Sequence, residues 1–285
     1  MGTSARGKMA TAVRLRLKRV PVLPTDPAAL PLLRHGSLDV TGRIIDASNT
    51  TLLCTVHCDG VSADCVYKPI RGERPLWDFP DGTLADREVA SWLLSEATSW
   101  SLVPPTVMRS GPLGRGMVQL WVDTNHERGL VDVVGVDAVP RGWRTVLRAQ
   151  DRYGNPALLV HADTEAMRQL AVLDVLLNNA DRKGGHVLAG LDGGVYGVDH
   201  GICLHRENKL RTVLWGFLGD QLSPMVLEVL RRVRSELDGA LGTALAEHIT
   251  QAEVRAVRDR ADQLLITETF PAPNGHWPAI PWPAF

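Results

Sequence analysis

The stretch from residue 164 to residue 201 constrains the fold most. Residues 164–177 (TEAMRQLAVLDVLL) are apolar almost all round, as in a helix buried inside a fold, with Asp163 or Thr164 placed to cap it. The helix runs without a spacer into a polar cluster, residues 178–186 (NNADRKGGH). Residues 187–191 and 195–198 then read as a hairpin over Asp192-Gly193-Gly194, a strong turn signal, and Asp199-His200-Gly201 follows at once. Ending a buried helix on Asn-Asn-Ala-Asp is unusual for a mere turn, and one hairpin brings a second aspartate back after it.

Upstream the texture changes to short strands. Residues 1–36 read as irregular, with Pro21, Pro24, Pro27 and Pro31 breaking any long element. Residues 42–47 (GRIIDA), 52–57 (LLCTVH) and 63–69 (ADCVYKP) form an antiparallel meander around a polar turn at 48–51 and the turn Cys58-Asp59-Gly60. Residues 83–96 have helical periodicity, with Thr83 or Asp81 as cap, and 103–108 and 117–122 read as two more strands. Residues 131–139 fit helix or strand, and 144–150 with 157–161 fit a hairpin. Beyond Pro224 the periodicity predicts helices over 225–237, 241–249 and 252–265, then a Pro/Trp-rich tail at 271–285.

Composition removes several classes. At 285 residues, 45% hydrophobic and 22% charged, the chain can fold as one large domain or two lobes, and wholesale disorder is excluded. Net charge is -1 with both signs interspersed, and the basic run Arg14–Arg19 reads as a solvated tail, so no nucleic-acid partner is expected. The apolar run at 170–177 is far too short to span a bilayer, and no stable membrane association is expected. Cys54, Cys58, Cys65 and Cys203 lack a compact metal spacing and read as reduced and structural. The start lacks the apolar core of a secretory signal, so a cytoplasmic location is expected, and the excess of arginine over lysine suggests a bacterial, GC-rich source.

Four features fall in a meaningful order: Lys68 on the third strand, Glu88 on the following helix, Asn179-x-Asp181-Arg182 after the buried helix, and Asp199-x-Gly201 after the hairpin. Phosphoryl transfer requires such a set. A triphosphate is strongly anionic, so a lysine must meet it, and a helix glutamate can hold that lysine in place. One carboxylate must ligate the bridging metal, and a second must orient the nucleophile.

The segments VYKPIRGE, DREVASWLL, LDVLLNNADRKGGHVL and GVDHG resemble the atypical kinases related to phosphatidylinositol 3- and 4-kinases. More narrowly they resemble an actinobacterial phosphatidylinositol-kinase-like family, with HipA-type and Golgi secretory-pathway kinases as distant relatives. The resemblance covers roughly residues 40–220. It implies an α+β, bilobal, protein-kinase-like fold with ATP between the lobes: a small antiparallel-sheet N-lobe with one helix (37–122) and a mostly helical C-lobe (123–270). It also implies ATP and Mg2+ or Mn2+ as cofactors.

Under this resemblance Lys68 contacts the α- and β-phosphates and Glu88 anchors it; Gln119, Leu120 and Trp121 form the hinge that meets adenine. The turn containing Ser48 and Asn49 covers the phosphates, Asp181 is the catalytic aspartate, and Asp199 binds metal. Two departures stand out. His186 occupies the place of the second metal-binding asparagine, which favours manganese over magnesium because magnesium prefers oxygen ligands, and the phosphate-covering turn lacks glycine. The expected activity is phosphoryl transfer to a protein or small-molecule acceptor. The alternatives are AMP transfer on the same fold and a catalytically inactive, nucleotide-binding regulator.

Overall fold

Strict alternation in residues 52–69 builds the first sheet, and through it the site. The computed structural model describes residues 22–44, 49–150 and 153–285. Strands β1 (Ser37–Arg43), β2 (Leu52–Cys58), β3 (Val61–Pro69), β4 (Thr106–Gly111) and β5 (Gly114–Leu120) pair antiparallel in the order β1-β2-β3-β5-β4. On β2 and β3, Leu52, Cys54, Val56, Ala63, Cys65 and Tyr67 are buried on one face against helix α1 (Ala29–His35). The period of two then puts Lys68 on the opposite face, beside Met117 of β5 and under helix α2 (Leu84–Thr98).

Several details differ from the sequence reading: β4 begins three residues after its expected start and β5 three residues before. Part of the segment read as irregular up to residue 36 is α1, because Pro31 falls in the first turn of that helix, where a missing N–H costs nothing. The first strand begins at Ser37, five residues before the expected Gly42. It is an edge strand exposed on both faces, with a bulge between Val40 and Gly42, so it carries no apolar period to read.

The undecided stretch 131–160 is a second sheet. Strands β6 (Val131–Gly135), β7 (Trp143–Gln150) and β8 (Pro156–Ala162) lie in the order β6-β8-β7, with the expected β7–β8 hairpin. Helix α3 (Glu165–Leu177) follows, its Thr164 side chain accepting the Met167 N–H, and Leu170, Leu173, Leu176 and Leu177 are fully buried. The short hairpin β9 (Val187–Ala189) and β10 (Val195–Gly197) comes next, then helices α4 (Pro224–Leu237), α5 (Ala240–Leu245) and α6 (Gln251–Thr267). One apolar core runs from α2 through α3 to α6. The whole is an antiparallel-sheet N-terminal part joined to a helical C-terminal part, as the sequence predicts. Among the described residues no helix is long and apolar enough to cross a membrane.

Candidate active site

A cleft of about 570 Å³ opens between the first sheet and the α3–β9 region. The sequence-predicted residues Asn49, Lys68, Glu88, Gln119, Leu120, Trp121, Asp181, His186 and Asp199 all line it. Ser48 lies outside the described residues.

Lys68 is the centre of the arrangement. Its Nζ donates to Glu88 Oε1 and to Asp199 Oδ1, each at 2.6 Å, although the three residues come from β3, α2 and the loop after β10. Burial works to strip the lysine of its proton, but the carboxylates of Asp199 and Glu88 outweigh it and hold the ammonium charged. The same ammonium holds the Asp199 carboxyl well below its ordinary range.

Helix α2 is fixed so that Glu88 keeps its place. Thr83 caps its first turn by accepting the Asp86 N–H, and the next residue along from Glu88 toward the cap, Arg87, is fully buried. The Arg87 guanidinium donates to Glu253 of α6 at 2.6 Å and to the carbonyls of Cys203 and Asp81. The second oxygen of Glu88 accepts the His200 N–H at 3.0 Å, so α2 grips the backbone beside Asp199. Gly201 permits this approach: a Cβ there would come within 3.3 Å of Leu84.

The loop at the end of α3 is organised from inside. Asn178 takes a left-handed conformation (φ 50°) and closes the helix; its side chain donates to the carbonyls of His205 and Glu207. Arg182 is completely buried and makes a forked contact with Asp174, itself completely buried, with Nη2 to Oδ1 at 2.9 Å. It also donates to the carbonyls of His186 and Val198 and to His200 Nε2. The arginine of the Asp-Arg pair thus bolts the Asp181 loop to the Asp199 loop, and leaves Asp181 to face the cleft. Burial raises the Asp181 carboxyl above its ordinary value, opposed by Lys183, whose Nζ lies 3.3 Å away.

Asp199 adopts a left-handed backbone (φ 60°), a strain of roughly 1–3 kcal/mol for a non-glycine residue, which the surrounding contacts maintain at a site of this kind. His186 faces it, with Nε2 at 3.5 Å from Asp199 Oδ2. The other ring nitrogen, Nδ1, sits 3.0 Å from the Asp181 carbonyl oxygen. A carbonyl only accepts, so Nδ1 carries the proton, and desolvation keeps the ring neutral by lowering its pKa. Nε2 therefore presents a lone pair toward the Asp199 carboxylate. The donor set of one carboxylate and one imidazole nitrogen fits a divalent cation whose remaining ligands are phosphate oxygens and water. Among the described residues no group of three or more His, Cys, Asp or Glu could hold a metal unaided.

At the segment expected to form the hinge, most backbone donors are already engaged. The Leu120 N–H is taken by the Pro105 carbonyl and the Trp121 N–H by the Asp64 carbonyl, while the Gln119 side chain donates to Thr106. The next residue, Val122, lines the cleft, and its N–H has no partner among the described residues. Sequence reading missed this position because strand alternation does not show where pairing stops. It also missed Glu73, which lines the cleft and accepts the N–H groups of Leu84 and Ala85 at the start of α2, and Lys183 beside Asp181. The only hints available for these two were the Gly-, Pro- and charge-rich stretch at 71–81 and the basic residue two places after Asp181.

No protein-family model matches the chain. Among solved structures it is similar to the Golgi casein kinase, with a TM-score of 0.50 and 13% identity over 84% of this chain and 73% of that one. The Helicobacter pylori proinflammatory kinase CtkA superposes with a TM-score of 0.43 at 11% identity, over 84% of this chain and 94% of that one. At the Golgi kinase's identity the likeness is one of fold alone, and the fold is kinase-like. By sequence, protein Rv2133c of Mycobacterium tuberculosis is 52% identical over 263 residues, which span 89% of this chain and 94% of that protein. The chain belongs to the same family as Rv2133c.

Proposed function

We propose that this protein is an ATP- and divalent-metal-dependent phosphotransferase, related to the phosphatidylinositol 3- and 4-kinase group, with a protein or small-molecule hydroxyl as acceptor. The observation that carries the reading is the Lys68 ammonium held at 2.6 Å from both Glu88 and Asp199. Three chain segments converge on one cation in a cleft large enough for a nucleotide.

Lys68 meets the α- and β-phosphates while Glu88 keeps its ammonium aimed into the cleft. The Val122 N–H, with neighbouring hinge carbonyls, holds the adenine edge. Asp199 and His186 would hold the divalent cation, manganese being the better match to a nitrogen ligand, and a cation bound there would supply positive charge to offset that developing on the phosphates. Asp181 accepts the acceptor hydroxyl's proton as that oxygen bonds to the γ-phosphorus, and ADP departs with the electrons of the broken bond. Its raised pKa suits it to receive that proton.

The test is thermal stability of wild type and Asp199→Asn with ATP, each with magnesium, with manganese and with neither. A ligand that binds only the folded state raises the melting temperature. The expected result is a metal-dependent shift, larger with manganese, that Asp199→Asn abolishes. No shift with either metal removes the basis of the proposal. Label from γ- rather than α-labelled ATP appearing on an acceptor separates phosphate transfer from AMP transfer.

A further inference from the structure

The loop from Asp181 to His186 has a weak centre. Arg182 is bolted at one side and His186 at the other, but Gly184 and Gly185 between them have no side chains with which to hold a conformation. The missing support comes from the far end of the sequence. The Gly184 N–H donates to the Ala284 carbonyl at 2.8 Å. The Phe285 ring lies directly on Gly184, where even a single added Cβ would collide with it.

The segment that delivers these two residues is itself anchored. The Ala279 carbonyl accepts from Trp215 Nε1 at 2.8 Å and from the Thr212 N–H at 3.1 Å. Asn274 donates to the Asn208 carbonyl at 2.7 Å, and the Trp277 ring lies 4.8 Å from Lys209 Nζ. Ile280 and Ala284 pack on the main apolar core. Residues 208–215 are also what the Asp181 loop rests on, through Arg182 N–H to the Arg211 carbonyl and Arg211 N–H to the Asn179 carbonyl. Loop, central segment and strap form three layers.

We propose that residues 279–285 are a strap that positions the Asp181–His186 loop, with Phe285 as its positioning residue. By clamping Gly184 it fixes the separation of the Asp181 carboxylate from the His186 imidazole. This rests on the phosphotransferase reading for its catalytic consequence, but not for its structural one.

The experiment compares wild type with Phe285→Ala, Phe285→Leu and Trp282→Ala, the last altering a side chain that is 91% exposed. Amide hydrogen exchange is followed by mass spectrometry on peptides covering 178–190, and kcat and KM for ATP are measured with manganese. Phe285→Ala is expected to speed exchange in that peptide about tenfold or more with α3 unaffected. It is also expected to lower kcat roughly 10- to 100-fold with KM for ATP unchanged, since a small misplacement of a reacting group has costs of that order. Phe285→Leu restores most of both, and Trp282→Ala changes neither. Unchanged exchange in Phe285→Ala overturns the strap, as does exchange that rises equally throughout the protein. Should Phe285→Ala not fold, Gly184→Ala, which displaces the ring from the other side, is read in the same way. If no phosphate is transferred by wild type, the phosphotransferase reading fails while exchange still decides the strap.

Discussion

The two walls of the cleft hold their charged groups by different means. On the sheet wall, Lys68 is placed by strand register and kept by two carboxylates, with its side chain still 22% exposed. On the helical wall, Asp181 and Asp199 are placed by a guanidinium and a carboxylate with no exposure at all, Arg182 and Asp174. The strands of the sheet wall bury no charged residue among the described residues, the nearest buried pair being Arg87–Glu253, which ties α2 to α6, whereas the helical wall is built around such a pair. A buried pair adds little net stability over an apolar pair, but removing one member leaves an unpaired charge in the interior. The same kind of charge-removing substitution should therefore unfold one wall and merely disarm the other.

The largest effect comes from breaking the helical wall. Asp174→Ala leaves Arg182 buried without its carboxylate and should cost about 3–5 kcal/mol in urea unfolding. Lys68→Met on the sheet wall should cost no more than about 1–2 kcal/mol, since Glu88 keeps the His200 N–H as a partner, yet should abolish the ATP-dependent thermal shift. Equal losses of stability would erase the contrast between the walls.

Next in size is Asp181→Asn, which removes the proposed base without touching the architecture, because the loop is held by the Asp181 backbone and by Arg182. Phosphate transfer should fall about 10²- to 10⁴-fold while the ATP and metal shift and the melting temperature stay at wild-type values. A lost shift would mean that Asp181 binds rather than orients.

A smaller effect is expected at His186. Replacing it with asparagine exchanges the proposed nitrogen ligand for an oxygen one beside Asp199, so the ratio of manganese to magnesium affinity, read by titration in the presence of ATP, should drop about tenfold. An unchanged ratio would make His186 a loop support, acting only through its bond to the Asp181 carbonyl.

The same contrast explains what could be read in advance. Lys68, Asp181 and Asp199 stand in short segments whose local pattern is strong: a strand, the end of a buried helix and the end of a hairpin. Local pattern also sufficed for α3, α4 and α6, whose observed spans lie within a residue or two of those expected. It failed for β1, an edge strand without an apolar face, and left β6 undecided, because only Val131 of that strand is buried. It could not find the supports, because they join distant residues. Arg87 meets Glu253 across 166 positions, and Gly184 meets Phe285 with all of α4, α5 and α6 lying between them in the chain. Nothing in either partner's own neighbourhood announces the other. The candidate site residues stand out because their signals are local, and their supports do not because their partners are distant in sequence.

The smallest expected effect tests whether buried polar architecture on the helical side extends beyond the cleft. His161 on β8 is fully buried; its Nδ1–H donates to the Ala162 carbonyl at 3.0 Å, and Nε2 accepts the Gly216 N–H at 3.1 Å. A second ring proton would point at a donor. Burial lowers its pKa, and the Arg144 and Arg168 guanidiniums add to this against the pull of Asp163. The unfolded chain takes up that proton near pH 6.5 and the folded chain resists it. The stability the neutral ring contributes is thus complete above pH 6.5 and is lost as the pH falls below that toward the depressed folded value. Each unit of depression is worth about 1.4 kcal/mol at most. His161→Gln should be less stable than wild type at pH 7.5, yet lose less on going to pH 5.5, so the two unfolding curves converge as the medium is acidified. Parallel curves would mean that His161 is held by packing alone, against the Phe217 ring 4.5 Å away. The buried polar design of the helical side would then end at Arg182 and its immediate neighbours.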